Sequence, residues 1–252
     1  MSILYEHPIN ERMRALLRIE DTVDRLRVHS ACEHAAQHHA AIMCVFELLE
    51  LCNRSELKSE ILQELERQRG YVNGYRNSEG VDPEALSRVL TEIEQCYSEL
   101  VSWQGKPGQH LRDNEWLTAV RSRSSIAGGM CEFDLPSLHA WLMSPFANRQ
   151  ADLAAWLAPF APLDKGMRQV LTLLRNSQPA REIVATNGIY QQDLRTKPYQ
   201  LMRVWVDESQ NAVPEILANK YVAWIKFTAA STTQRGQYLE RDVPFKLALC
   251  TF

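Results

Sequence analysis

LMRVWV at residues 201–206 and YVAWIKF at 221–227 decide the fold class. In the first, Val204 and Val206 alternate with Arg203 and Trp205. In the second, Val222, Trp224 and Lys226 alternate with Ala223, Ile225 and Phe227. A period of two sends one set of side chains inward and the other outward, as in an antiparallel sheet with one wet face. Ile183-Val184-Ala185 before these runs and Val243 to Leu249 after them are also β-prone. Asn187-Gly188, Lys197-Pro198, SQNAVP (209–214) and QRGQ (234–237) read as turns between them, so hairpins are expected.

Upstream of Pro179 the period is helical. After Asn10, a good N-cap, come Met13, Leu16, Leu17, Val23 and Leu26 at helical spacing. Residues 31–52 repeat the pattern through Ile42, Val45, Phe46, Leu48, Leu49 and Leu51. Ser55 opens a third helix with Leu57, Ile61, Leu62 and Leu65 on its inner face. Asp82-Pro83, an N-cap followed by proline at the first helical position, starts another that runs to about Val101. GKPG (105–108) is a turn; further helices are expected from Asp113 to Arg123, over 137–158 and over 163–176.

Two stretches in helical territory read as strands: SILYE (2–6) and MCEFDL (130–135), where Cys131, Phe133 and Leu135 alternate with Glu132 and Asp134. A lone strand leaves its backbone groups unpaired, so both are expected to join the C-terminal sheet. The expected fold is α+β. A mostly helical domain (10–178, interrupted near 130–135) precedes a smaller antiparallel β domain (179–252) completed by residues 2–6.

The 252 residues are 45% hydrophobic and 23% charged, the balance of a folded globular chain. No apolar run approaches the roughly 20 residues that cross a bilayer, and the N-terminus lacks a secretory pattern. The cytoplasm is expected, with no membrane partner. Six cysteines without a C-x-x-C pair fit free thiols in a reducing compartment. The net charge of −3 argues against nucleic-acid affinity, although a local basic site is compatible with it.

The nucleotide-binding, zincin and nucleophile-elbow motifs are absent from the sequence, which argues against an enzyme. His34 and His38, four apart with His39, His29 and Glu33 nearby, share a helix face at metal-ligand spacing. No third ligand is placed by sequence, and solvated imidazoles at a polar helix start explain them as well. Arg14, Arg18 and Arg25 fall within one stripe roughly 40° wide. Asp21 lies on the same stripe and can neutralise its neighbours. Lys106, His110, Arg112, Arg121 and Arg123 have only Asp113 and Glu115 as local counter-charges, and the small residues of SRSSIAGG follow them. These cations suit either a peptide-docking site or an ordinary helix C-terminus. The six tryptophans read as core or interface anchors. A pocket gathering His110, His139 and a carboxylate would indicate a hydrolase or transferase. Phosphate contacts by Arg14, Arg18 and Arg25 would indicate a nucleic-acid module.

YEHPINERMRALLRIE (5–20), LKSEILQELERQ (57–68), IAGGMCEFDLPSLHAWL (126–142) and NGIYQ (187–191) together resemble the ZapD family of FtsZ-associated cell-division factors. The order and spacing of these pieces fit over nearly the whole chain. The resemblance implies a non-enzymatic homodimer without a cofactor that binds the C-terminal tail of FtsZ and bundles filaments at the mid-cell division ring. It implies tail contacts at Arg14, Arg18, Arg54, Arg112, Arg121, Arg123 and His139, with Lys220 and Lys226 in the C-terminal sheet. Glu115 and Val222 stand where that resemblance leads one to expect basic residues.

Overall fold

The structure, a computed structural model, describes residues 1–53, 56–76 and 78–252. Arg54 and Ser55 lie outside the described residues. The architecture is α+β. Two compact units are present: Met1–Arg14 with Val170–Phe252, and Ala15–Gln169.

The β unit contains β1 (Ser2–Pro8), β2 (Arg181–Ala185), β3 (Ile189–Asp193), β4 (Leu201–Asp207), β5 (Ala212–Ala218), β6 (Val222–Ala229) and β7 (Val243–Cys250). They form two antiparallel sheets, ordered β1-β4-β7-β2 and β3-β6-β5. As expected, the first strand joins the C-terminal sheet, with Leu4 opposite Trp205 and Glu6 opposite Arg203. Inward-facing Met202, Val204, Val206, Ile225, Phe227, Phe245 and Leu247 form its core. The Phe227 ring packs tilted against Phe245 with centroids 5.2 Å apart, and burying such a side chain contributes about 1.5–3 kcal/mol. Asn187 (φ 50°) and Gly188 (φ 69°) are both left-handed, as a tight two-residue turn requires, but β2 and β3 then part to different sheets after one bridge, Thr186 to Ile189, so the hairpin expected there does not form. A Cβ at Gly188 would also lie 2.1 Å from the Leu239 carbonyl oxygen.

Beside that core Arg175 and Arg203 share one carboxylate. Glu6 accepts from Arg175 at 2.6 and 3.0 Å and from Arg203 at 2.8 Å, and Arg203 also donates to the Arg175 carbonyl at 3.0 Å.

The helices are α1 (Glu11–Ala31), α2 (Ala35–Asn53), α3 (Leu57–Asn73), α4 (Pro83–Ser102), α5 (Gln109–Arg112), α6 (Glu115–Ser124), α7 (Pro136–Leu142), α8 (Phe146–Leu157) and α9 (Ala161–Arg175). The unit boundaries fall inside α1 and α9. Both N-caps read from sequence are in place. Asn10 Oδ1 accepts from the Met13 amide at 2.9 Å, and Asp82 Oδ1 from the Glu84 amide at 2.9 Å. Leu16, Leu26, Ile42, Leu48, Leu49, Ile61, Leu65 and Ile93 are fully buried at the centre of the helical unit.

Three readings are corrected. Residues 130–135 are turns, not a strand. Their backbone is satisfied locally: the Leu135 and Asp134 amides donate to the Cys131 carbonyl, and the Cys131 amide to that of Gly128. The alternation there buries little, for Phe133 is 79% exposed. The helix expected over 137–158 is two helices, because Pro145 forces Ser144 out of helical backbone. β3 and β5 are strands that the sequence pattern does not mark, and β5 begins inside the SQNAVP segment that reads as a turn.

Candidate protein-binding site

Two open clefts in the helical unit hold cations expected from the sequence, Lys106 and Arg112 in one and Arg121 in the other. The first, about 600 Å³, is lined by Cys52, Leu57, Lys58, Leu62, Lys106 and Arg112, among others. The GKPG turn builds one wall. Gly108 is left-handed (φ 73°), and a Cβ there would sit 2.6 Å from Leu49 Cδ2, so glycine alone lets the chain pass. Arg112 on α5 then folds back and donates to the Pro107 carbonyl at 3.0 and 3.1 Å. From the opposite wall Lys58 donates to the carbonyls of Trp103 at 2.6 Å and Val101 at 3.2 Å, closing the α4 C-terminus. No carboxylate pairs with Lys58, Lys106 or Arg112 among the described residues, which leaves the cleft cationic. In its apolar floor, burial pushes the Cys52 thiol up to about 12 despite Arg112, so it stays protonated.

The second cleft, about 670 Å³, runs between Met43, Phe46, Glu47 and Glu50 of α2 and Thr118, Arg121 and Ser122 of α6. Asn114 caps α6, its Oδ1 accepting from the Leu117 amide at 2.9 Å. Arg121 is held by Glu50. Glu47 accepts from Arg25 at 2.8 Å, and Arg25 also binds Asp21 at 2.9 Å. The neutralised stripe read from the sequence therefore holds for Arg25.

The remaining expected contacts are dispersed. Arg14 pairs with Glu11 at 3.0 Å. Arg18 and Arg123 are exposed, and neither has an ion-pair partner among the described residues. His139 faces Glu132 at 3.6 Å, at the exposed end of the 130–135 turn. Lys220 lies over the Tyr221 ring at 4.8 Å and Lys226 over Tyr238 at 5.5 Å, both in the β unit. Glu115 is exposed in the first turn of α6, where an acidic residue suits the helix dipole. Arg54 is outside the described residues. Lys58 was missed: its reach to the α4 carbonyls exists only because α3 and α4 pair.

The histidines do not build a metal site. His38 is buried and both its nitrogens are engaged, while His34 Nδ1 accepts from the Ala36 amide at 3.2 Å. Among the described residues no group of three His, Cys, Asp or Glu could hold a metal ion. The two enzyme candidates also use different partners: His110 Nε2 meets the Trp156 carbonyl at 2.8 Å, and His139 faces Glu132. Among the described residues no helix is long and apolar enough to cross a membrane.

Residues 17–226 match the ZapD family model, described as cell division protein. The chain belongs to the ZapD family. Curated relatives named "Cell division protein ZapD" match along their whole length. That of Cupriavidus metallidurans (strain ATCC 43123 / DSM 2839 / NBRC 102507 / CH34) is 47% identical, covering 99% of this chain and 100% of its own. That of Cupriavidus necator (strain ATCC 17699 / DSM 428 / KCTC 22496 / NCIMB 10442 / H16 / Stanier 337) is 46% identical with the same coverage. A third, from Janthinobacterium sp. (strain Marseille), is 44% identical over 99% of this chain and 100% of its own. ZapD family membership therefore rests on the full chain rather than on isolated motifs.

Proposed function

We propose that this chain is a non-enzymatic cell-division factor that binds the C-terminal tail of FtsZ in the cytoplasm and, as a homodimer, bundles FtsZ filaments at the division ring. The observation that carries this reading is the end-to-end similarity to relatives named as ZapD cell division proteins. The cationic cleft of Lys58, Lys106 and Arg112 supports it, because an extended peptide with carboxylates needs cations not already neutralised by an acidic side chain, beside apolar surface. Arginine holds a carboxylate through two parallel hydrogen bonds, so it orients the peptide as well as attracting it. A two-fold dimer presents each site twice, and two weak sites on one particle bridge filaments through multivalency.

A fluorescent peptide of the FtsZ C-terminus, compared with a scrambled peptide of equal charge, tests the partner. Selective binding that weakens with salt is expected; equal binding of both peptides overturns the reading. Lys106→Glu, which reverses an exposed charge of this cleft, is expected to abolish co-sedimentation of bundled filaments while leaving the circular dichroism spectrum unchanged. Undiminished co-pelleting removes the cleft from the site. A chain that sediments as a monomer at every concentration removes the bridging step.

A further inference from the structure

Arg149 lies in α8 and is only 6% exposed, and His38 in α2 is fully buried. The guanidinium is gripped by uncharged acceptors. Nε donates to His38 Nδ1 at 2.9 Å, one terminal nitrogen donates to the carbonyls of Leu142 (2.9 Å) and Ser144, and the other to the Glu33 carbonyl at 2.6 Å. This one side chain thus ties the link between α1 and α2 to the C-terminal end of α7.

The donor in the His38–Arg149 contact is unambiguous, because a guanidinium has no acceptor. His38 Nδ1 must present its lone pair, and the ring proton then sits on Nε2, 3.3 Å from the Ser30 carbonyl in the last turn of α1. Only neutral imidazole fits. A second proton would put an N–H against an N–H and one cation against another in a dry site.

The surroundings offer no counter-charge. From α1, Ser30 contributes its carbonyl, and His29 turns to Gln37 at 2.6 Å. From the α1–α2 link, Glu33 contributes its carbonyl while its side chain is exposed, and His34 is bound to the Ala36 amide. From α7, the Trp141 ring lies 6.1 Å from His38, and its Nε1 donates to Asp152 at 2.8 Å. From α8 come Phe146, with its ring 5.5 Å away, and Arg149 itself. Arg149 makes no ion pair among the described residues.

We propose that His38 and Arg149 form an acid-sensitive latch on the helical unit: protonation of His38 expels the guanidinium and frees the α7–α8 end. Burial and the Arg149 charge both hold the imidazole below its ordinary range, consistent with the geometry. The sign follows from linkage. The unfolded chain takes up a proton on His38 near pH 6.5 and the folded chain only at lower pH, so stability is complete above about 6.5 and falls as acid is added. Trp141 reports the event, because its ring centroid lies 5.8 Å from those of Trp116 and Trp156, tilted against the first and stacked on the second.

The test is thermal unfolding of the full chain from pH 7.5 to 5.5, followed by tryptophan fluorescence, for the wild type and for His38→Gln. Glutamine keeps an acceptor and a donor but does not titrate. The wild type is expected to lose about 3 °C more in Tm over that range than the variant. His7 in the β unit is also held neutral by burial and by Arg14, but both proteins contain it, so its contribution cancels. Equal Tm losses overturn the proposal. Should His38→Gln not fold, nuclear magnetic resonance titration of the wild type replaces it. A His38 ring that stays neutral through pH 6 and titrates together with the fluorescence change supports the latch; one that titrates near 6.5 overturns it.

Discussion

In the β unit two arginines, Arg175 and Arg203, close on the carboxylate of Glu6, whereas in the helical unit Arg149 closes on three backbone carbonyls and an imidazole. Both clusters are largely withdrawn from water, and both join segments distant in sequence. They meet the cost of desolvating a cation differently. Glu6 brings an opposite charge, so the triad carries one net positive charge over three side chains, partly relieved by 17–23% exposure. The Arg149 cage has no opposite charge and survives by giving the guanidinium four hydrogen bonds to neutral acceptors. The first arrangement fails when its anion is lost, the second when its acceptor is protonated.

Substitutions can break that contrast. Removing the anion should do the most damage: Glu6→Gln leaves two half-buried guanidinium groups facing each other. It is expected to cost about 3 kcal/mol, read as a shifted urea midpoint at unchanged slope. Arg149→Met should cost somewhat less, about 2 kcal/mol in the same titration. It orphans buried carbonyls and His38 Nδ1, but also removes a cation that had no partner. A loss as large as that of Glu6→Gln would show that the cage is as dependent on its charge as the triad is. The smallest effect should come from Arg25→Met, where Asp21 and Glu47 bind a side chain that is 42% exposed. Its two ion pairs sit in water, and the expected cost is under about 1 kcal/mol.

The same contrast separates what could be read along the chain from what could not. The period-two runs at 201–206 and 221–227 became β4 and β6, because each run's burial pattern is written in its own residues, whereas SILYE became β1 through its ladder with β4 while Ile3 and Leu4 stay exposed. The 130–135 alternation misled, because turn hydrogen bonds around Cys131 satisfied the backbone that a sheet was expected to satisfy. β5 escaped notice because its first residues, Ala212-Val213-Pro214, look like a turn until Ile216 and Leu217 pair with Ile225 and Trp224. Among the site residues, Arg112 and Lys106 were visible as cations with few local counter-charges. Lys58 was not, because its cleft wall comes from the packing of α3 beside α4 and the GKPG turn. Nor was the fate of His38 visible: a helical i,i+4 histidine pair looks the same on paper whether it faces metal, water or an arginine 111 residues later.

By itself the sequence determined the fold class, the helix starts at Asn10 and Asp82, the turn at Asn187-Gly188 and the family, since each is set by local backbone preference or by patterns read within a few residues. Only the tertiary structure decided which cations are neutralised and which stay free. Arg25, Arg121 and Arg175 find their carboxylates on other elements, while Lys106 and Arg112 do not. The reason is one of range: hydrophobic period is a property of neighbours along the chain, whereas pairing of charge depends on which distant side chains the packed helices and sheets bring within hydrogen-bonding distance.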